Sequence, residues 1–308
     1  MAVYEKIVVV TRKTRLAELI ERFNSRAQAK FYIEHAGGDF NDYVQEDDAY
    51  RRTITALHHS LNLGLKLQFI DRSYLPTFLF TEKDLIVTVG QDGLVANTAK
   101  YVASQPIVAI NPEPTRFDGI LLPFQCPQAQ TAVSRVVQGK ARMRTVTLAE
   151  ASLNDGQRLL AFNDLFVGAR THVSARYRIK FRNRTESQSS SGILISTGAG
   201  STGWLSSVFK MVAGVAAFTG GKSGEEIRLK WEDSRLIFVV REPFASKSSY
   251  TEMVAGIVLT DEELILESFM PSGGVIFSDG IEADYLAFNS GTVAKIHTAR
   301  EQARLVVS

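Results

Sequence analysis

The chain has 308 residues, 45% hydrophobic and 22% charged, with 35 Lys and Arg against 33 Asp and Glu and a formal net charge of +2. That length suits two domains, or one large one, with ample core, and the composition excludes a disordered or fibrous chain. The basic residues are scattered, which argues against a nucleic-acid partner, and a single cysteine, Cys126, excludes an internal disulfide and a cysteine-built zinc site.

The first half alternates strands and helices. "KIVVV" (Lys6 to Val10) is a short apolar run with three valines, the pattern of a buried strand. Leu16, Leu19, Ile20 and Phe23 follow at helical spacing. Residues 24 to 45 carry no clear period, and "HAGGDFNDY" reads as loop. A second helix places Tyr50, Ile54, Leu57 and Leu61 on one stripe, and Gly64 can end it. "LKLQFI", "DLIVTV" and "PIVAI" are strands. This order predicts a mostly parallel sheet with covering helices, in which ligands sit beyond the carboxyl ends of the strands.

After "GILLPF" (Gly119 to Phe124) the texture changes. Val173, Ala175, Tyr177, Ile179 and Phe181 alternate with polar residues, giving a strand with one buried face. "RNRTESQSSS" (Arg182 to Ser191) reads as a polar connection, then "GILIST", "RLIFVV", "ELILE" and "GVIF" as strands. A helix over Leu205 to Ala217 interrupts them. The expected fold class is α/β plus all-β: an N-terminal α/β domain with a mostly parallel sheet, then an antiparallel β domain.

Four short stretches could carry chemistry. Gly90-Gln91-Asp92-Gly93 follows an apolar strand, and glycines there let backbone approach an anion. A lone acid would repel phosphate, so Asp92 holds a metal or takes a proton, unless the stretch is only an Asp-Gly turn. Thr197 to Trp204, "TGAGSTGW", puts small and hydroxylic residues before a helix, either a phosphate or ribose cradle or a plain cap. Asn163-Asp164 can grip ribose hydroxyls or an adenine edge, or make a turn. "SDG" (Ser278 to Gly280) ends a strand, as a hairpin would. The five histidines lack metal-binding spacing, and Cys126 reads as a small buried hydrophobe.

Taken in order, "GQDG", "FND", "TGAGSTGW" and "SDG" resemble the hallmarks of the ATP-dependent NAD kinases. The chain looks most like the mitochondrial type and its bacterial relatives. The phrases that carry this are "KIVVVTRKTRLAEL", "INPEPTRFDGILLP", "LAFNDLFVGARTHVSARYRI", "SSGILISTGAGSTGW" and "FVVREPF". The resemblance implies an α/β domain of residues 1–125 plus a returning tail, 291–308, and a β-rich NAD-binding domain, 126–290. It implies transfer of the ATP γ-phosphoryl to the adenosine-ribose 2′-hydroxyl of NAD with Mg²⁺ or another divalent metal. Asp92 matches the acid that activates that hydroxyl, and Gly90, Gln91 and Gly93 fall in the phosphate loop. Asn163 and Asp164 match the pair that holds ribose or adenine. Thr202, Gly203, Trp204 and Ser207 match the second nucleotide-binding loop. A homodimer or higher homo-oligomer is also implied.

Three departures stand out: Gln91 replaces a glycine, Leu94 a threonine, and Ser191 an acid that many bacterial members carry. A lipid or sugar kinase of the same superfold, or a nucleotide-binding sensor with weak catalysis, are the competing expectations. No apolar run is long enough to span a bilayer, and "MAVYEKIVVV" lacks the marks of a secretory signal, so a cytoplasmic location without a membrane partner is expected.

Overall fold

The computed structural model describes residues 4–222 and 224–308. They form two compact units, one of the described residues up to Arg144 with Arg304–Ser308, the other of Thr145–Ala303.

The first unit runs β1 (Lys6–Thr11), α1 (Arg15–Phe23), α2 (Arg26–His35), α3 (Phe40–Ser60), β2 (Lys66–Asp71), β3 (Asp84–Val89), α4 (Asp92–Ala99), β4 (Pro106–Asn111), β5 (Phe124–Gln125) and α5 (Ala129–Val137). Strands β2, β1, β3 and β4 lie side by side in that order, and each pair is parallel. All six residues of β3 and of β4 are buried, which explains why both read as unbroken apolar runs. The helices close over the sheet through Tyr50, Leu57, Leu61, Ala132 and Val133. Cys126 packs at the rim of this core, and burial pushes its thiol pKa up.

Residues 26–35 and 40–45 are helical, in a stretch where the sequence showed no clear period and "HAGGDFNDY" read as loop. Ser25 caps α2 by accepting from the Gln28 N–H, and Asp39 caps α3 by accepting from the Asn41 N–H. Within "HAGGDFNDY" residues 36–39 are irregular, as the sequence suggested, and "FNDY" belongs to α3.

The second unit begins inside β6 (Arg142–Leu153) and continues with β7 (Arg158–Ala161), β8 (Asp164–Ala169), β9 (Ala175–Phe181), β10 (Arg184–Ser190), β11 (Ile193–Ser196), α6 (Trp204–Phe218), β12 (Leu236–Val240), β13 (Ala255–Val258), β14 (Leu264–Ser268), β15 (Gly274–Ser278), β16 (Ile281–Ala287) and β17 (Val293–Val307). One antiparallel sheet has the order β13-β12-β11-β8-β15-β16. In the other, β10, β9, β14 and the first residues of β17 are antiparallel neighbours. Tyr177, Ile179, Phe238, Ile195, Leu266 and Ile276 fill the core between them.

The division falls after Arg144, later than residue 125, because α5 buries Ala129, Val133 and Val136 in the first unit's core. Val293 to Ile296 pair with β14, and only Arg304 and Leu305 pair with β4.

Arg182 to Ser191 is not a connection. Arg184–Ser190 form strand β10, joined to β9 through Arg182 at φ 54°. Its inward residues are polar but satisfied: Glu186 accepts from the Glu252 and Met253 N–H groups, and Gln188 donates to Met253 O. The Tyr177 hydroxyl meets both Gln188 and Ser190. Hydrogen bonding does here what apolar burial does in the other strands, so a hydrophobicity pattern misses it. Val173, expected on the buried face, is 59% exposed and precedes the strand.

Candidate functional site

In the first unit, β1 leads through helices to β2 on one side, while β3 lies on its other side and leads through α4 to β4. The crevice beyond the carboxyl ends of β1 and β3 is therefore the topological switch point, where open parallel sheets bind ligands. Gly90-Gln91-Asp92-Gly93 lies there. Gln91 caps α4 with φ −107° and ψ 168°, extended backbone open to any residue. The lost glycine thus costs the loop no strain. A Cβ on Gly93 would meet nothing within 4 Å, whereas one on Gly90 would sit 3.0 Å from the Leu94 side chain. Leu94 is buried, so the hydroxyl of a threonine is exchanged here for packing against Gly90.

Asp92 is the first residue of α4, where its charge favours the helix dipole. Its Oδ1 accepts from the Leu121 N–H at 2.8 Å, and Oδ2 has no partner among the described residues. The segment that supplies this contact is itself braced. Asn111 donates to Phe117 O and accepts from the Glu113 N–H, and Gly119 turns at φ 63°.

In the second unit, three motifs meet. The β15–β16 hairpin turns through Asp279 and Gly280, at φ 53° and 70°. The Asp279 carboxylate accepts from the N–H groups of Phe162 at 3.0 Å, Asn163 at 2.6 Å and Asp164 at 3.3 Å. "SDG" is a hairpin turn, as its composition suggests, and also a clamp on "FND". From the other side the Thr197 hydroxyl donates to Phe162 O at 2.6 Å, and the Thr197 N–H donates to Asn163 O at 2.9 Å. A Cβ on Gly200 would fall 2.1 Å from Asn163 O, and one on Gly198 would fall 1.7 Å from Lys230 O. These two glycines let backbone touch backbone; they are not held open for a ligand.

Beyond them Gly203 caps α6 with no side-chain cap, so the first N–H groups of the helix are not claimed by a capping side chain. Thr202, Gly203 and Ser207 are exposed, and Trp204 is the first helical residue. Trp204 stacks on Phe166 at 5.7 Å, and Phe166 on Phe277 at 6.0 Å. Arg241 lies over Phe166 and Trp204, and Arg170 over Tyr285 at 4.2 Å. Trp204, Phe166, Phe277, Arg170 and Arg241 line a cavity of about 430 Å³ together with Asp164, Asp279 and Ser191. Phe166, Phe277, Arg170 and Arg241 were not singled out from sequence. Three of them, Phe166, Arg170 and Arg241, stand in phrases that carry the family resemblance, but nothing in their spacing says that they share a wall.

Asp164 keeps part of its surface open to that cavity yet lies deep among protein atoms. Burial, then the nearby charge of Asp279, pushes its pKa up to about 7. The folded state thus holds a proton that the unfolded chain has already released. Stability falls as pH rises from about 4 through 7, and the cost is fully present above pH 7. Melting curves from pH 5 to 8 should show Asp164→Asn gaining on wild type as pH rises; a constant difference would contradict the raised pKa. The Asn163 amide makes no side-chain hydrogen bond among the described residues, so it is available to a ligand.

No family model matches the sequence. Among curated proteins, the NAD kinase of Chlorobium luteolum is 31% identical over 131 residues, which are 41% of this chain and 45% of that protein. The chain therefore spans under half the length of the curated relative it matches. Yeast NADH kinase, solved as a complex with NADH, has a TM-score of 0.58 at 15% identity and covers 98% of this chain and 83% of its own. An NAD kinase from Archaeoglobus fulgidus, solved in complex with ATP, has a TM-score of 0.56 at 15% identity, covering 98% of this chain and 93% of its own.

The class these units define is the two-part fold of those structures, an α/β unit with a parallel sheet and an antiparallel β unit. The chain shares that fold with the two kinase structures, and its partial sequence match is likewise to an NAD kinase.

Proposed function

We propose that this chain is an ATP-dependent NAD kinase, phosphorylating the adenosine-ribose 2′-hydroxyl of NAD(H) to give NADP(H). The observation that carries the proposal is the Asp92 carboxylate, fixed through one oxygen at the start of α4 and free at the other. A ribose hydroxyl does not ionise at pH 7, and a carboxylate within hydrogen-bond reach accepts its proton as transfer proceeds. Phosphoryl transfer otherwise needs positioning and charge neutralisation. We assign the phosphate contacts to the backbone of Gly90, Gln91 and Gly93, and the grip on the dinucleotide to Asn163, Asp164, Thr202, Gly203, Trp204 and Ser207. The three hydrogen bonds that hold 162–164 support that grip, because a pre-set backbone spends less entropy on binding.

Among the described residues no group of three His, Cys, Asp or Glu side chains gathers to hold a metal alone. In this reading Mg²⁺ would be carried largely by the nucleotide phosphates, the usual habit of this ion. When bound, it would neutralise charge on the transferred group.

The cavity of the second unit is lined by charged and aromatic side chains, which suits a dinucleotide better than the large apolar groove a lipid acceptor needs. Ionised Asp164 accepts hydroxyl hydrogen bonds and its protonated form accepts fewer, so NAD affinity should rise between pH 6 and 8. An equal rise in Asp164→Asn would remove that role. A cytoplasmic homo-oligomer is part of the proposal. Among the described residues no helix is long and apolar enough to cross a membrane. The exposure of Met211, Val212, Val215 and Phe218 on α6 supports association.

Gln91→Gly should leave the melting temperature within a few degrees, because the backbone there is already relaxed. It should raise turnover by uncovering loop N–H groups; a large fall would make the Gln91 amide a phosphate ligand. The reading as a whole is tested by thermal shift with ATP, NAD and NADH, since a ligand of the folded state raises the melting temperature. No shift with any of them would remove it.

A further inference from the structure

Arg12 follows β1 directly, across the switch-point crevice from the Gly90 loop. Its side chain is only 9% exposed, and its Nη2 pairs at 3.0 Å with Glu46, which is 1% exposed. Nη1 donates to Lys13 O at 3.0 Å. The third donor, Nε, is buried and has no acceptor among the described residues. It lies against the glycine loop: Arg12 Cδ and Nε are both 3.5 Å from where a Gly90 Cβ would be. The two loops are also tied. The Tyr50 hydroxyl donates to Val89 O at 3.0 Å and accepts from the Arg12 N–H at 2.9 Å.

A buried donor without an acceptor is costly, and native chains seldom leave one without a reason. Leu94 fills the other side of Gly90, so packing alone would be met by an aliphatic residue at position 12. An arginine held by a buried carboxylate, with its Nε–H unmatched beside a glycine loop, is what anion recognition requires.

We infer that Arg12 is a phosphate-binding residue, its Nε–H donating to the phosphate chain of the nucleotide that occupies the Gly90 loop, with Glu46 as the positioning residue that holds the guanidinium in place. This rests on the phosphoryl-transfer reading above. Lysine at position 12 would keep a charge for Glu46 but could not serve both partners at once.

The test is calorimetric binding of inorganic tripolyphosphate with Mg²⁺, and of ATP with Mg²⁺, to wild type, Arg12→Lys and Arg12→Gln, with melting temperatures recorded without ligand. Tripolyphosphate carries the phosphate chain alone and needs no turnover. The inference expects tripolyphosphate and ATP to bind tenfold or more weakly to Arg12→Lys, while its ligand-free melting temperature and its NAD affinity stay near wild type. Loss of tripolyphosphate binding in Arg12→Lys upholds the inference even if wild type makes no NADP, a result that would overturn the NAD kinase reading alone. Equal tripolyphosphate binding by wild type and Arg12→Lys, or none by wild type, overturns it. So does a fall in melting temperature in both variants without a change in ATP affinity, because Arg12 would then serve only Glu46.

Discussion

Asp92→Asn is expected to lower turnover by about 10²- to 10⁴-fold, the usual contribution of a positioned general base, while ATP and NAD affinities change little. The amide is isosteric, and its oxygen can still accept from the Leu121 N–H that Asp92 Oδ1 accepts from at 2.8 Å. The loop should therefore keep its shape and lose only its proton acceptor. Stopped-flow turnover beside nucleotide titrations separates the two effects. A variant that turns over like wild type would take the acid's role away from Asp92, and one that stops binding nucleotide would make the carboxylate a structural or metal-holding group first.

Asp279→Ala should have the other large effect, and it should be structural. The change strands three N–H donors, on Phe162, Asn163 and Asp164, that share one carboxylate. Each unsatisfied buried donor costs about 1–3 kcal/mol, though neighbours in one cluster do not add fully. A loss of about 3–5 kcal/mol and of the NAD-induced thermal shift is expected. Removing that charge also takes away the second cause of the raised Asp164 pKa, so Asp164 should titrate lower in the variant. A variant with wild-type stability and NAD affinity would show that the hairpin turn alone holds 162–164 in place.

The α/β half was legible because its chemistry is local. β3 and β4 are buried along their whole length, so their apolar runs admit few other readings. The β half was legible only where burial is apolar. Strand β10 escaped because Glu186, Gln188 and Ser190 point inward and are satisfied by partners far along the chain, such as Met253. The start of α3 escaped because Asp39 and Asn41 look like turn residues, and one of them is indeed the cap.

The site shows the same division. The order of the four motifs could be read, as could the Asp-Gly turn at 279–280. That this turn also reaches back to 162–164 could not, because the contact joins residues 115 to 117 positions apart. The glycines of "TGAGSTGW" have the composition of a phosphate cradle, yet Gly198 and Gly200 are glycine because Lys230 O and Asn163 O press on them. The aromatic row of Trp204, Phe166 and Phe277 comes from three elements, and only the sheet order β11-β8-β15 brings them together. Arg12 was a basic residue in a basic stretch until Glu46, Gly90 and an unmatched N–H surrounded it.

The measurement that bears most directly on the account is phosphoryl transfer itself. Purified protein is incubated with NAD, Mg²⁺ and ATP labelled in its γ-phosphate, and the product is read with a dehydrogenase that accepts only NADP. The account predicts label on NAD, in a product that this dehydrogenase reduces, from wild type and not from Asp92→Asn. Protein that binds both nucleotides, shown by thermal shift, and leaves NAD unlabelled would contradict it.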